Sequence, residues 1–320
     1  TQDVVWIAEF AGAGWALPLG EYFDAAVQKD YFPGTIDACT YDGKLTALPW
    51  FVDSGMLYYR KDLLEGIGAK VPETWADLTK AAQEIQKSGK ADFGYLWQGK
   101  QAEVLVCDLV EVVASNNGAI LAPDGHSSVL NDPKAVEAVQ FLYDTIHTSK
   151  ISPSDVLSWD EEPSRQPFTA GRGAFLRNWS YVYSISQDPK ASSVVGKVGV
   201  APLPHFPGGK SAACLGGYQY GVNAATKNRE AAIDFLTWMS DKGERAPFDV
   251  PTERVKVTVG SATSAIGHRA KEVTRRIGKV RQNKRRLRMP TDDESATWLR
   301  TVYERNGKTL GLACETIVLT

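Results

Sequence analysis

The chain has 320 residues, 43% hydrophobic and 23% charged, with a formal net charge of -2. A length of this kind suits two α/β domains of roughly 150 residues each, and the near-neutral charge excludes a general attraction to nucleic acid or an anionic membrane. No apolar run is long enough to span a bilayer, and the amino end carries no signal-peptide pattern, as a chain with a cleaved leader also would not.

In chain order, Asp3–Ile7 (DVVWI) reads as a short buried strand, followed by a glycine-rich loop and a helix. Tyr41-Asp42-Gly43-Lys44 reads as a turn, leading into a strand and an aromatic exit at Trp50-Phe51. Met56–Arg60 is a second strand candidate, and Lys61–Ile67 a short helix stopped by Gly68. Thr74 caps an amphipathic helix in which Leu78, Ala82 and Ile85 repeat at helical spacing. Further helices are expected over Glu103–Ser115, Pro133–Thr148, Arg229–Ser240 and Ala265–Val280, and strands at Lys197–Ala201, Gln219–Val222 and Val255–Val259. Strands and helices intermix throughout, which predicts α/β layers. The four cysteines are scattered, with no CxxC pair and no Cys/His cluster, so neither a metal site nor a cofactor is expected, while one disulfide stays open. A basic run between Arg269 and Arg288, broken by a single acid, Glu272, reads as a solvated helix face and its exit loop, with a phosphate or partner site as the other reading.

Several segments appear in a telling order: DVVWIAEFAGAGWALPL (Asp3–Leu19), YDGKLTALPWFVDSGMLYYRKDLL (Tyr41–Leu64), PETWADLTKAAQEI (Pro72–Ile85), WQGKQAEVLVCDLVEVVASNNG (Trp97–Gly118), FTAGRGAFLRNWSY (Phe168–Tyr181), GKVGVAPLP (Gly196–Pro204) and LGGYQYGVNAATKNREAAIDFLTWM (Leu215–Met239). Taken together they resemble the carbohydrate-binding branch of ABC-transporter solute-binding proteins, closest to its trehalose/maltose-binding group. The resemblance implies a two-lobed periplasmic-binding-protein-like α/β fold with a hinge and a central cleft. It places residues 1–52 and 222–320 in the first lobe and 53–221 in the second. It also implies a periplasmic or extracellular monomer, with lipid anchoring left open, that binds a mono- or disaccharide and delivers it to ABC-transporter permease subunits.

Sugars present apolar C–H faces and a rim of hydroxyls, so a sugar site needs flat aromatic rings and polar or ionised side chains at their edges. Asp3 heads the DVxW motif, whose aspartate bonds a sugar hydroxyl in the family; its bland reading is a surface carboxylate. Trp6 and Glu9 follow it and are weaker candidates, Trp6 having core packing as its alternative. Asp53 lies among apolar neighbours, where a carboxylate must find donors. Phe51 stands where the family often has tyrosine. Trp179, in RNWSY, suits a stacking platform and matches the family position. Gly217 belongs to a glycine pair that permits close approach of backbone to a ligand. Tyr218 stands where the family usually has tryptophan. Gln98 and Glu103 flank a WQG segment that lacks the family's tyrosine, having Ala102 instead.

Family members carry a longer amino-terminal portion before the DVVW segment. The tail offers a β-α-β-α-β order over Val255–Val259, Ala265–Val280, Arg286–Met289, Glu294–Arg305 and Glu315–Leu319 that resembles that portion, so a circularly permuted chain is one reading and a truncated one in the usual order is the other. No catalytic residues are expected. A carbohydrate hydrolase remains the enzymatic rival, needing two carboxylates about 5–10 Å apart. A ligand-free interaction protein on the same scaffold is the second rival.

Overall fold

The computed structural model describes residues 1–124, 127–240, 247–249 and 258–260. Within the long described stretches the chain forms two compact units, one from residues 1–51 and 219–240 and the other from 52–218.

The first unit opens on β1 (Gln2–Asp3), a 3-10 turn (Val4–Trp6) and α1 (Ile7–Gly12). The expected strand Asp3–Ile7 is therefore mostly helical. Its β-branched residues favour a strand, but the segment packs with a helical period: Ile7 enters the core, and Trp6 stacks on Phe10 one turn later with ring centres 5.9 Å apart. α2 (Ala25–Gln28) is capped by Asp24, whose carboxylate accepts the N–H groups of Ala26 and Val27, and α3 (Pro33–Ala38) starts with proline, which has no donor to waste there. β2 (Thr40–Tyr41) and β3 (Lys44–Leu45) form a hairpin around the expected turn. Asp42 and Gly43 take φ of 48° and 71°, the left-handed pair a two-residue hairpin turn requires. The core of this unit joins Ile7, Leu19, Phe23, Leu45 and Leu48 to Val222 and Leu236.

β4 (Leu48–Ser54) carries the chain into the second unit between Phe51 and Val52. There follow β5 (Met56–Arg60), α4 (Lys61–Gly66), α5 (Trp75–Lys87), β6 (Phe93–Leu96), α6 (Glu103–Ser115), α7 (Pro133–His147), α8 (Glu161–Thr169), β7 (Gly173–Asn178), α9 (Tyr181–Ser186) and β8 (Val198–Ala201). Four of these strands make one sheet in the order β6-β7-β5-β8. In it β7 is parallel to β6 and antiparallel to β5, and β5 is antiparallel to β8. Strand alternation sends side chains to both faces, and both are covered. Leu57, Tyr95 and Phe175 pack with Leu78, Ala82 and Ile85 of α5 and with Val112, Val113 and Leu142 of α6 and α7. Met56, Tyr58 and Leu176 pack on the other side with Phe168 and Val182.

β9 (Leu215–Tyr220) returns the chain to the first unit between Tyr218 and Gln219, and α10 (Arg229–Ser240) follows. β9 lies between β1 and β4 in a three-stranded sheet, so the strand expected at Gln219–Val222 begins at Leu215 instead. The glycine pair is sheet-bound; Gly217, with φ of 113°, takes a conformation that L side chains rarely adopt. β10 (Pro247–Asp249) pairs with β11 (Thr258–Gly260). Apart from Thr258 and Val259, the tail elements expected from Val255 to Leu319 lie outside the described residues, as does Cys314. Cys39, Cys107 and Cys214 are buried free thiols.

Candidate functional site

The second unit gathers polar groups around one indole. Trp179 follows directly on β7, half-buried, with its own N–H bonded to the Asn178 side chain at 2.8 Å. Its backbone carbonyl accepts the Tyr58 hydroxyl at 2.8 Å, and its ring Nε1 donates to Glu161 Oε1 at 3.1 Å. The Arg177 guanidinium carbon lies 4.2 Å from the centre of the indole ring, a cation–π contact.

Asp53, on β4, accepts the backbone N–H of Ser180 at 2.8 Å and of Ser54 at 2.9 Å through Oδ1. Desolvation by burial raises its pKa above the ordinary carboxylate value, against the opposing pull of these amides and of Arg177. Gly216 touches both partners: a Cβ there would lie 3.0 Å from Trp179 Cζ3 and 3.5 Å from Asp53 Cβ. Absence of a side chain at 216 is what lets the strand lie against the ring. Tyr218, two residues on and so on the same side of β9, is 41% exposed. Trp179, Asp53, Gly216 and Tyr218 thus combine a flat ring, a carboxylate and an accessible phenol.

Beneath the ring lies a buried charge cluster. Arg177, 1% exposed, donates from Nε to Glu111 Oε2 at 2.7 Å, from Nη2 to Glu111 Oε1 at 2.6 Å, and from Nη1 to Gln98 Oε1 at 3.0 Å. Asp108 Oδ2 lies 3.6 Å from Arg177 Nε without a hydrogen bond of its own. Burial holds the Asp108 carboxyl well above its ordinary pKa, the Arg177 charge acting against it. For Arg177 burial acts to weaken the charge, but the neighbouring acids, Glu111 foremost, outweigh it and raise its pKa above the ordinary value.

This geometry corrects one expected ligand contact. Gln98 is fully buried, and its amide is used within the protein: Nε2 donates to Ser164 and to the Arg177 carbonyl while Oε1 accepts from Arg177. It braces the cluster under the ring instead of reaching a hydroxyl. Glu103 opens α6 half-buried, its Oε1 3.8 Å from the Cys107 thiol, on the helix face that continues to Glu111. Asp3, Trp6, Glu9 and Phe51 belong to the first unit. There Trp6 is 40% exposed, Asp3 and Glu9 are half-buried, and Phe51 packs edge-on against Trp50 at 5.2 Å. Arg177 was not picked out as a site residue by sequence reasoning, although a charged residue inside the apolar strand GAFLRN signals a buried partner. Among the described residues no cluster of His, Cys, Asp and Glu could hold a metal ion, and no helix is long and apolar enough to cross a membrane.

Residues 1–246 match the family model described as bacterial extracellular solute-binding protein. The chain belongs to that family. It is similar to a probable ABC transporter-binding protein of Deinococcus radiodurans, 42% identical over 249 residues, 76% of this chain and 58% of the relative. Among solved structures it resembles T. maritima MalE3 with maltose bound, at 40% identity and a TM-score of 0.68, covering 75% of this chain and 61% of that one. It also resembles a solute-binding protein of Agrobacterium vitis with bound D-mannitol, at 27% identity and a TM-score of 0.64, covering 76% and 58%. This solute-binding chain therefore spans about three fifths of the length of these relatives.

Proposed function

We propose that this chain binds a small sugar, with a disaccharide such as maltose or trehalose as the preferred ligand, and hands it unchanged to an ABC importer outside the cytoplasm. The observation that carries the reading is the Trp179 indole, half-exposed, with the Asp53 and Glu161 carboxylates beside it and a fixed cation against the ring. The ring offers a surface for the C–H face of a pyranose, and carboxylates accept from its hydroxyls, which all donate. The similarity to a maltose-bound protein at 40% identity supports a disaccharide, and the mannitol-bound relative supports a polyhydroxylated ligand more broadly. Tyr218 adds a second ring with a hydroxyl, and Gly217 keeps the backbone beside it uncrowded. On the first unit, Asp3, Trp6, Glu9 and Phe51 are proposed as further ligand contacts.

Replacing Trp179 with alanine removes the stacking surface. W179A is expected to weaken maltose affinity by roughly tenfold or more in calorimetry, the scale typical of a buried aromatic anchor. Its far-ultraviolet circular dichroism should stay that of the parent, because the ring is half-exposed and outside the sheet core. Unchanged affinity would remove Trp179 from the site.

A further inference from the structure

One buried carboxylate gathers groups from three strand ends. Glu111, on α6 and 2% exposed, grips Arg177 through two parallel hydrogen bonds. Its Oε1 also accepts the N–H of Cys214, the residue immediately before β9, at 3.0 Å. Gly55, between β4 and β5, passes so close that a Cβ there would collide with that same oxygen. β4 and β9 are both strands in which the chain passes from one unit to the other. Arg177 is two residues before Trp179 and lies against its ring.

A guanidinium held by a carboxylate on one edge and by the Gln98 carbonyl on another cannot rotate, so the indole against it has one resting plane. We propose that Glu111 is the positioning residue of the sugar platform. Through Arg177 it sets the plane of Trp179, and through Cys214 it sets the approach of the Gly216–Tyr218 segment to that ring. No part of Glu111 need touch the ligand. The inference rests on the reading of Trp179 as the platform and names what holds it in place.

The test compares E111Q and R177K with the parent, each with and without W179F. E111Q keeps the shape of the side chain and removes the bidentate acceptor, and Asp108, 3.6 Å from Arg177, is placed to ionise as its countercharge once Glu111 no longer supplies one. R177K keeps an ion pair with Glu111 and removes the flat fork. Near-ultraviolet circular dichroism differences between each protein and its W179F partner isolate the Trp179 band, and calorimetry reads maltose affinity under fully folded conditions. Loss of the Trp179 band in both variants, with affinity lowered roughly tenfold, is the expected result. A Trp179 band and an affinity equal to the parent's, in variants with a lowered urea midpoint, would make Glu111 a support of the fold alone and overturn the proposal. R177K decides the question by the same two signals where E111Q does not fold. If the parent gives no heat with maltose, trehalose, mannitol or glucose, the sugar reading fails, while the Trp179 band still tests what Glu111 positions.

Discussion

A buried acid with one carboxylate oxygen left without a hydrogen bond has a measurable consequence. Asp108 is 2% exposed, and the guanidinium near it is already gripped by Glu111, so the cheaper state for its own carboxyl is the protonated one. The folded protein then keeps a proton that the unfolded chain releases near its ordinary value of 3.8. With the folded pKa raised, stability falls as pH rises above that value, by about 1.4 kcal/mol per pH unit until the folded carboxyl itself ionises. D108N is expected to lose this part of the slope, so its urea stability should fall less than the parent's between pH 4 and pH 7; an identical profile would show that Asp108 is ionised in the native state. This residue also marks how far the sequence is legible at the site. Asp53, Trp179 and Tyr218 stand out because polar and aromatic side chains occupy strand ends and irregular turns, where a core role is a poor explanation. Arg177 advertises a need for countercharge from within GAFLRN. Its partners Asp108 and Glu111 lie on a helix far upstream, and only the packing of α6 on the sheet brings them together. Gln98 misleads for the same reason: an amide after a strand looks available until Arg177 is found across from it.

At the scale of elements, local chemistry and tertiary pairing divide the structure between them. α5 is legible because everything about it is local. Thr74 accepts the Asp77 N–H at 3.1 Å, the Asp77 carboxylate accepts the Thr74 N–H at 3.3 Å, and Trp75, Leu78, Ala82 and Ile85 fall on one buried face. T74A breaks this capping box and is expected to cost about 1 kcal/mol, read as a lower urea midpoint with unchanged slope. No loss would show that the helix is held by its buried face alone. The helices over Glu103–Ser115 and Arg229–Ser240 and the Asp42-Gly43 hairpin are equally local. β9 is not: its glycines carry little strand propensity of their own, and the flanking strands β1 and β4 make it extended. The run Asp3–Ile7 fails in the opposite direction, since β-branched residues suggest a strand that the stacking of Trp6 on Phe10 and the burial of Ile7 replace with a helix.

For the whole molecule, family membership over residues 1–246 and the two-unit division agree with an α/β solute-binding fold. The α/β class is legible from the intermixed strands and helices and from the ordered segments between Asp3 and Met239, each weak alone. The choice of ligand is less legible, because it depends on the exact placement of a few side chains, and the chain spans about three fifths of its relatives' length. A binder and a hydrolase also differ in what happens to the ligand, which residue types alone do not decide. Titrating the parent chain calorimetrically with maltose, trehalose, mannitol and glucose, and assaying each mixture for released glucose, tests the central claim most directly. Saturable one-to-one heat with at least one disaccharide, a higher melting temperature in its presence and no released glucose are expected. Flat titrations with an unmoved melting temperature across all four, or steady release of glucose, would contradict it.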